Sequence, residues 1–442
     1  MFTNTSGASN TALGQGALAF NTVASFNTAV GSNALAFNTT GTPNTAVGYQ
    51  ALKSNLVGTN NVAVGDSALF ANTANNNTAV GSSALAANAS GVFNTALGRN
   101  ALAANISGNS NSAVGASALS NTVGFRNTGI GQGALFSNTT ADNNVAVGAS
   151  ALFSNTTGSP NVAMGAQALL SNTTGGYNSA VGYQTLYSNT TGTQNSAVGQ
   201  GALYSNTTAD NNTAMGNGAL GSNTTGTPNT AVGYAALFSN VVGTSNVAVG
   251  DNALYANTGD LNTAVGSSAL TANISGANNV AIGGLTLAAN TTGVANVAIG
   301  VTALATNSVG NNNVAIGDSA LQTNDADNNI AIGKDALQAN TTGTPNTAIG
   351  YQALKTNVSG TNNVAVGALA LSSNVVGAGN VAVGTNALAV NTANNTTAVG
   401  LNALAANTTG TGNTAVGMEA LAVNNTGSNN TAVGRGTLIA NT

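Results

Sequence analysis

The sequence predicts an all-β fold: an elongated β-solenoid, or β-roll, of about 26 short coils with a 16–17-residue repeat. Three observations carry this expectation. The motif Asn-Thr-Ala-Val-Gly, with Ala-Leu and then Asn-Thr-Thr-Gly behind it, returns from one end of the 442-residue chain to the other. Its closing glycine falls 26 times, from Gly14, Gly31 and Gly48 to Gly417 and Gly434. Finally, units this short and rich in glycine and asparagine exclude the paired helices of helical solenoids.

With that glycine as position 0, 20 of the 25 intervals are 17 residues. The five of 16 end at Gly81, Gly131, Gly266, Gly333 and Gly400. The missing residue always falls between the leucine and the next asparagine, as in Asn72-Thr-Ala-Asn-Asn-Asn77, which marks that stretch as a loop. Pro43, Pro160, Pro228 and Pro345 each precede a motif asparagine and belong to corners. No linker or change of composition interrupts the repeat, so residues 1–442 read as a single continuous array.

Position −1 is always aliphatic or methionine, as at Leu13, Val30, Ile130, Met164 and Val433. Position +4 is leucine in all 26 repeats. Fixed apolar columns oppose a disordered reading, and collagen is excluded by the lack of a three-residue glycine period. Strand alternation sets −3 and −1 on one face and −4, −2 and 0 on the other. The first face, where −3 becomes valine at Val62, Val145 or Val297, reads as the core, joined by the leucines.

The other face carries alanine at −2, except Gly129, and position +3 is alanine except at Thr185, Thr286 and Thr437. Such small residues let another backbone approach closely, so this face is expected to be buried against neighbouring chains in a homotrimer. The alternative is a thin monomeric coil in which small residues simply fit tight corners.

Asparagine holds −4 in every repeat but that of Thr396, and usually returns at +7. Coils stacked about 4.8 Å apart would align these amides into hydrogen-bonded ladders. The Asn-X-Thr patterns at Asn38-Thr39-Thr40 and Asn340-Thr341-Thr342 then follow from the ladder and need no glycan. Twenty-six coils at that spacing make a rod roughly 120 Å long.

The inventory of chemical groups is mostly negative. Without histidine or cysteine there are no disulfides, no thiol nucleophile, no Ser-His-Asp triad and no zinc site of the usual kinds. Asp325-Ala-Asp327 is the closest acidic pair but lacks the spacing of a calcium loop. Asp318 and Asp335 read as the same position of adjacent coils, with nothing to make them a catalytic pair. The expectation is therefore no enzymatic activity, no cofactor, no metal and no catalytic or cofactor-binding residue.

The six basic residues are scattered and the net charge is −4, so no nucleic-acid partner is expected, nor membrane insertion. Tyr49, Tyr183, Tyr234 and Tyr351 follow the glycine, while Phe70, Phe136, Phe153, Tyr187, Tyr204, Phe238 and Tyr255 follow the leucine. These rings are read as covering the corners, with a carbohydrate-binding strip as the alternative. The threonines at −3 raise ice binding as a further alternative.

The runs Asn312-Asn313-Val314-Ala315-Ile316-Gly317 and Asn296-Val297-Ala298-Ile299-Gly300 resemble the head repeats of trimeric autotransporter adhesins. The chain also resembles bacterial and bacteriophage tail-fibre stalks of the type that can precede an intramolecular chaperone domain. That resemblance implies a parallel homotrimer, an extracellular location on a bacterial surface filament or a phage virion, and a role in attachment. Self-association and a cell-surface or glycan receptor are the partners it implies. The ends, Met1-Phe2-Thr3-Asn4-Thr5 and Ala440-Asn441-Thr442, enter and leave in the same half-coil without caps, which raises head-to-tail stacking into a filament.

Overall fold

A computed structural model describes residues 3–441; the entry at Met1 and Phe2 and the exit at Thr442 lie outside the described residues. The chain forms two compact units, Met1–Thr225 and Gly226–Thr442. The first holds strands β1 (Thr11–Leu13) to β13 (Thr213–Met215), and the second holds β14 (Asn229–Val232) to β26 (Thr431–Val433). Each coil contributes one strand of three or four residues, ending at position −1.

Within each unit successive strands pair in parallel with like positions opposed. Thr28, Ala29 and Val30 face Thr45, Ala46 and Val47 in the first unit; Val297, Ala298 and Ile299 face Val314, Ala315 and Ile316 in the second. Both units are thus regular β-solenoids with the expected 16–17-residue coil, each about 60 Å long for thirteen coils at the strand spacing.

Backbone conformation explains which residue type each column accepts. Every leucine at +4 lies in the left-handed region, with φ between 49° and 54°. A β-branched side chain is strongly disfavoured there, so this column holds only leucine while the extended −1 position takes valine and isoleucine freely. Positions +2 and −5 are also left-handed, as at Asn33 and Ser67 or Asn60 and Tyr177. The four prolines replace the −5 residue, where their ring forbids a positive φ, and the bond before each is cis. Glycine at 0 is set by contact between coils: a Cβ on Gly350 would lie 2.6 Å from the carbonyl carbon and oxygen of Gly367.

The core is the reverse of the expected face. Away from the end coils the leucines at +4 are buried as expected, but the residues enclosed with them are the alanines at −2 and +3 and the asparagines at −4 and +7. The −1 residues point outward, and Met164, Ile130 and Val249 are 45%, 41% and 37% exposed. The small-residue face is therefore filled by its own coil and is no surface for neighbouring chains. Space is the reason. A closed 17-residue loop leaves room inside for one leucine, two alanines and two asparagines; a second aliphatic column has to stay outside.

Inward-pointing turn carbonyls make asparagine a core residue. At −4, the Asn44 side chain accepts the Asn61 N–H at 3.0 Å and donates to Gly58 O at 2.8 Å. At +7, Asn172 donates to Asn155 Oδ1 at 2.8 Å and to Gly175 O at 2.9 Å. The expected ladders are both present, and the ladder residues Asn38 and Asn340 of the glycosylation-like patterns are buried. Each leucine contributes on the order of 1.5–3 kcal/mol by burial, and each amide bond about 1 kcal/mol net.

Candidate interaction surface

Because alanine at −2 turns inward, −3 and −1 form the outer face of the parallel ladder, two columns wide in each unit. In the first unit the −3 column is mostly hydroxyl, broken by valine only at Val62, Val145 and Val162, with Thr78, Thr95, Ser112 and Thr128 consecutive. In the second unit four successive coils turn outward only aliphatic pairs: Val280 with Ile282, Val297 with Ile299, Val314 with Ile316, and Ile330 with Ile332. All eight are partly or well exposed and no charge interrupts them. A parallel sheet is ordinarily covered on both faces, whereas this aliphatic strip is open on its outer side. Sequence reasoning assigned these residues to the core; the signal against that was alanine itself, since an interior with room for two aliphatic columns would not confine −2 and +3 to a methyl group.

The aromatic residues are brought together in pairs. Phe136 stacks on Phe153 with centroids 5.0 Å apart, Tyr187 on Tyr204 at 5.0 Å, and Phe238 on Tyr255 at 5.5 Å. Phe20 and Phe37, one position further on and not singled out in the sequence, also stack at 5.2 Å. Phe70 instead lies under the Lys53 ammonium at 5.5 Å. Each stack directs one ring face at its neighbour, which removes that face from a sugar. Tyr49, Tyr183, Tyr234 and Tyr351 are exposed on coils far apart in the sequence and form no strip. A shallow groove of about 300 Å³ beside Phe136 and Phe153 is lined by Arg99, Ser117, Gln132 and Ser150.

Five of the ten acidic side chains serve the backbone of the coil before them. Asp325 accepts from the Ser308 N–H at 2.6 Å and its hydroxyl at 2.9 Å, and Asp327 accepts from the Asn311 N–H at 2.7 Å. Asp142, Asp210 and Asp260 accept in the same way from the N–H groups of Phe125, Thr193 and Thr244. Asn75, Asn109 and Asn394 do the same for Thr59, Val92 and Ala378. The role therefore calls for an acceptor oxygen and not for charge.

Asp318 and Asp335 are not equivalent: they stand at +1 and +2 of their coils. Asp318 meets exposed Lys334 at 3.7 Å, whereas Asp335 meets Lys355 at 3.6 Å and accepts from Gln352 at 3.2 Å. Among the described residues no group of three metal-capable side chains converges. No helix among them is long and apolar enough to cross a membrane. No protein-family model matches this chain, and no curated protein matches it.

Proposed function

We propose that this chain is a structural fibre protein of an extracellular surface, on a bacterial filament or a phage virion, that works as a stiff multivalent rod with no catalytic role. The observation that carries the reading is the uncovered outer face of the parallel ladder, above all the aliphatic strip from Val280 to Ile332. Burying that strip against copies of the same chain removes apolar surface from water and covers the sheet on its second side. The likeness of the Asn313–Gly317 run to trimeric adhesin heads favours three copies and an adhesive use of the rod. The engagement of five of the ten carboxylates as backbone acceptors supports a scaffold in preference to an enzyme.

The test is the solution mass of the chain, by light scattering with negative-stain microscopy, beside that of the variant Ile299→Lys/Ile316→Lys. Discrete particles near three times the 42.4 kDa chain mass that fall to the single-chain mass in the variant support the reading. A single-chain mass for the unaltered protein refutes it. Long filaments in both proteins assign association to end-to-end stacking.

The hydroxyls of Thr78, Thr95, Ser112 and Thr128, regularly spaced on the outer face, favour a second reading as an ice-binding surface. Thermal hysteresis of the purified chain tests it, and its absence removes that reading.

A further inference from the structure

The five 16-residue coils share a feature that the 20 longer intervals do not. In 17-residue coils the asparagine at +7 donates back to its predecessor, as Asn155 does to Asn138 at 3.0 Å and Asn189 to Asn172 at 2.8 Å. At each shortened coil that backward rung is lost or stretched. Asn72 and Asn391 make no such bond, and the buried Oδ1 atoms of Asn55 and Asn374 are left without a partner. Thr122 stands where the asparagine would be and has no amide to give to Asn105. Asn257 reaches Asn240 at 3.3 Å and Asn324 reaches Asn307 at 3.5 Å.

The forward rung is tight in the same coils. Asn88 donates to Asn72, Asn273 to Asn257, Asn340 to Asn324 and Asn407 to Asn391, each at 2.6 Å, and Asn138 donates to Thr122 Oγ1 at 2.8 Å. Backbone pairing follows this polarity. Thr156 and Thr173 each donate an N–H to the next coil at 2.9 Å, but the corresponding N–H groups of Leu56, Ile106 and Val375, just before shortened coils, have no partner among the described residues. At the Asn307 step a carboxylate stands in, with Ser308 N–H going to Asp325. Each shortened coil is thus bound to the coil after it and loosened from the coil before it.

We propose that the backward faces of the five 16-residue coils are the opening points of the solenoid, dividing each unit into blocks that separate locally before the unit unfolds. A repeat array opens where nearest-neighbour coupling is weakest, and at these steps the amide rung is lost or stretched, with the backbone bond also lost just after Asn55, Asn105 and Asn374, while the −4 ladder runs on through them, as Asn77 N–H to Asn61 Oδ1 at 2.9 Å shows. The surface notch of about 520 Å³ at Asp325, Ala326 and Asp327 lies at one of these loops.

Residue-resolved hydrogen exchange of the whole chain tests this. The buried leucines make the same bond at both kinds of step: Leu52 N–H to Ala68 O and Leu152 N–H to Ala168 O are both 2.9 Å. Leu52, Leu102 and Leu371 span shortened-coil steps, whereas Leu152 and Leu169 do not. The former are expected to exchange about tenfold faster or more. Inserting one glycine between Ala74 and Asn75 should slow Leu52 to the Leu152 rate, and deleting Thr174 from the Asn172–Asn178 loop should accelerate Leu152. Equal rates for Leu52 and Leu152 in the unaltered chain overturn the proposal even if neither variant folds, and so does a Leu52 rate unchanged by the insertion.

Discussion

Asn88 donates its side-chain amide to Asn72 Oδ1 at 2.6 Å, and the same oxygen also accepts from Asn77 at 3.2 Å within its own coil. Removing one residue between the +7 and −4 asparagines brings the two columns together. Asn262 with Asn257 at 3.2 Å and Asn329 with Asn324 at 3.3 Å repeat the arrangement. The two ladder positions held by threonine, Thr122 and Thr396, both lie in shortened coils. A smaller side chain fits where the columns crowd.

Glycine at 0 and glycine at +2 should respond differently to the same change. Gly350→Ala places a methyl group 2.6 Å from the Gly367 carbonyl and should lower stability by several kcal/mol or prevent folding. Gly201→Ala meets nothing within 4 Å and bears only its left-handed backbone, at about 1 kcal/mol. Urea titrations of both variants check the contrast.

Leu254 sits at φ 52° and is fully buried. Leu254→Ile keeps the volume but puts a β-branched residue in the left-handed region, and should lose about 1–3 kcal/mol. Leu254→Met should cost less, about 1 kcal/mol. Comparing the two unfolding midpoints separates backbone conformation from apolar volume.

Asn172→Asp tests the ladder through pH. The new carboxylate would be buried, facing the acceptors Asn155 Oδ1 and Gly175 O, so its folded pKa would rise above the unfolded value of about 4. The folded state then binds the proton more tightly, so the variant should be most stable below that value and lose stability as pH rises through the folded pKa. Thermal unfolding of the variant and the unaltered chain between acid and neutral pH measures the difference.

Asp327 should be replaceable by an uncharged acceptor. Asp327→Asn should stay within about 0.5 kcal/mol of the unaltered chain, as Asn75, Asn109 and Asn394 hold equivalent bonds, while Asp327→Ala should lose about 1–2 kcal/mol. Equal losses in both would show that the charge itself matters.

The sequence by itself determined the coil length, the parallel stacking, the asparagine ladders and the loop that absorbs deletions. Each is written as a repeated residue type at a fixed spacing, and stacking identical coils aligns identical side chains. Strand alternation also separated −3 and −1 from −4 and −2 correctly, but alternation carries no sign. Which set turns inward depends on the width of the closed coil, and only the tertiary structure decided that Ala46 and Asn44 are enclosed while Val47 remains partly exposed. The partners of Asn55 and Asn72 were likewise beyond the sequence: a one-residue deletion is visible there, but the direction in which it draws the shortened coil is set by how both neighbours pack against it.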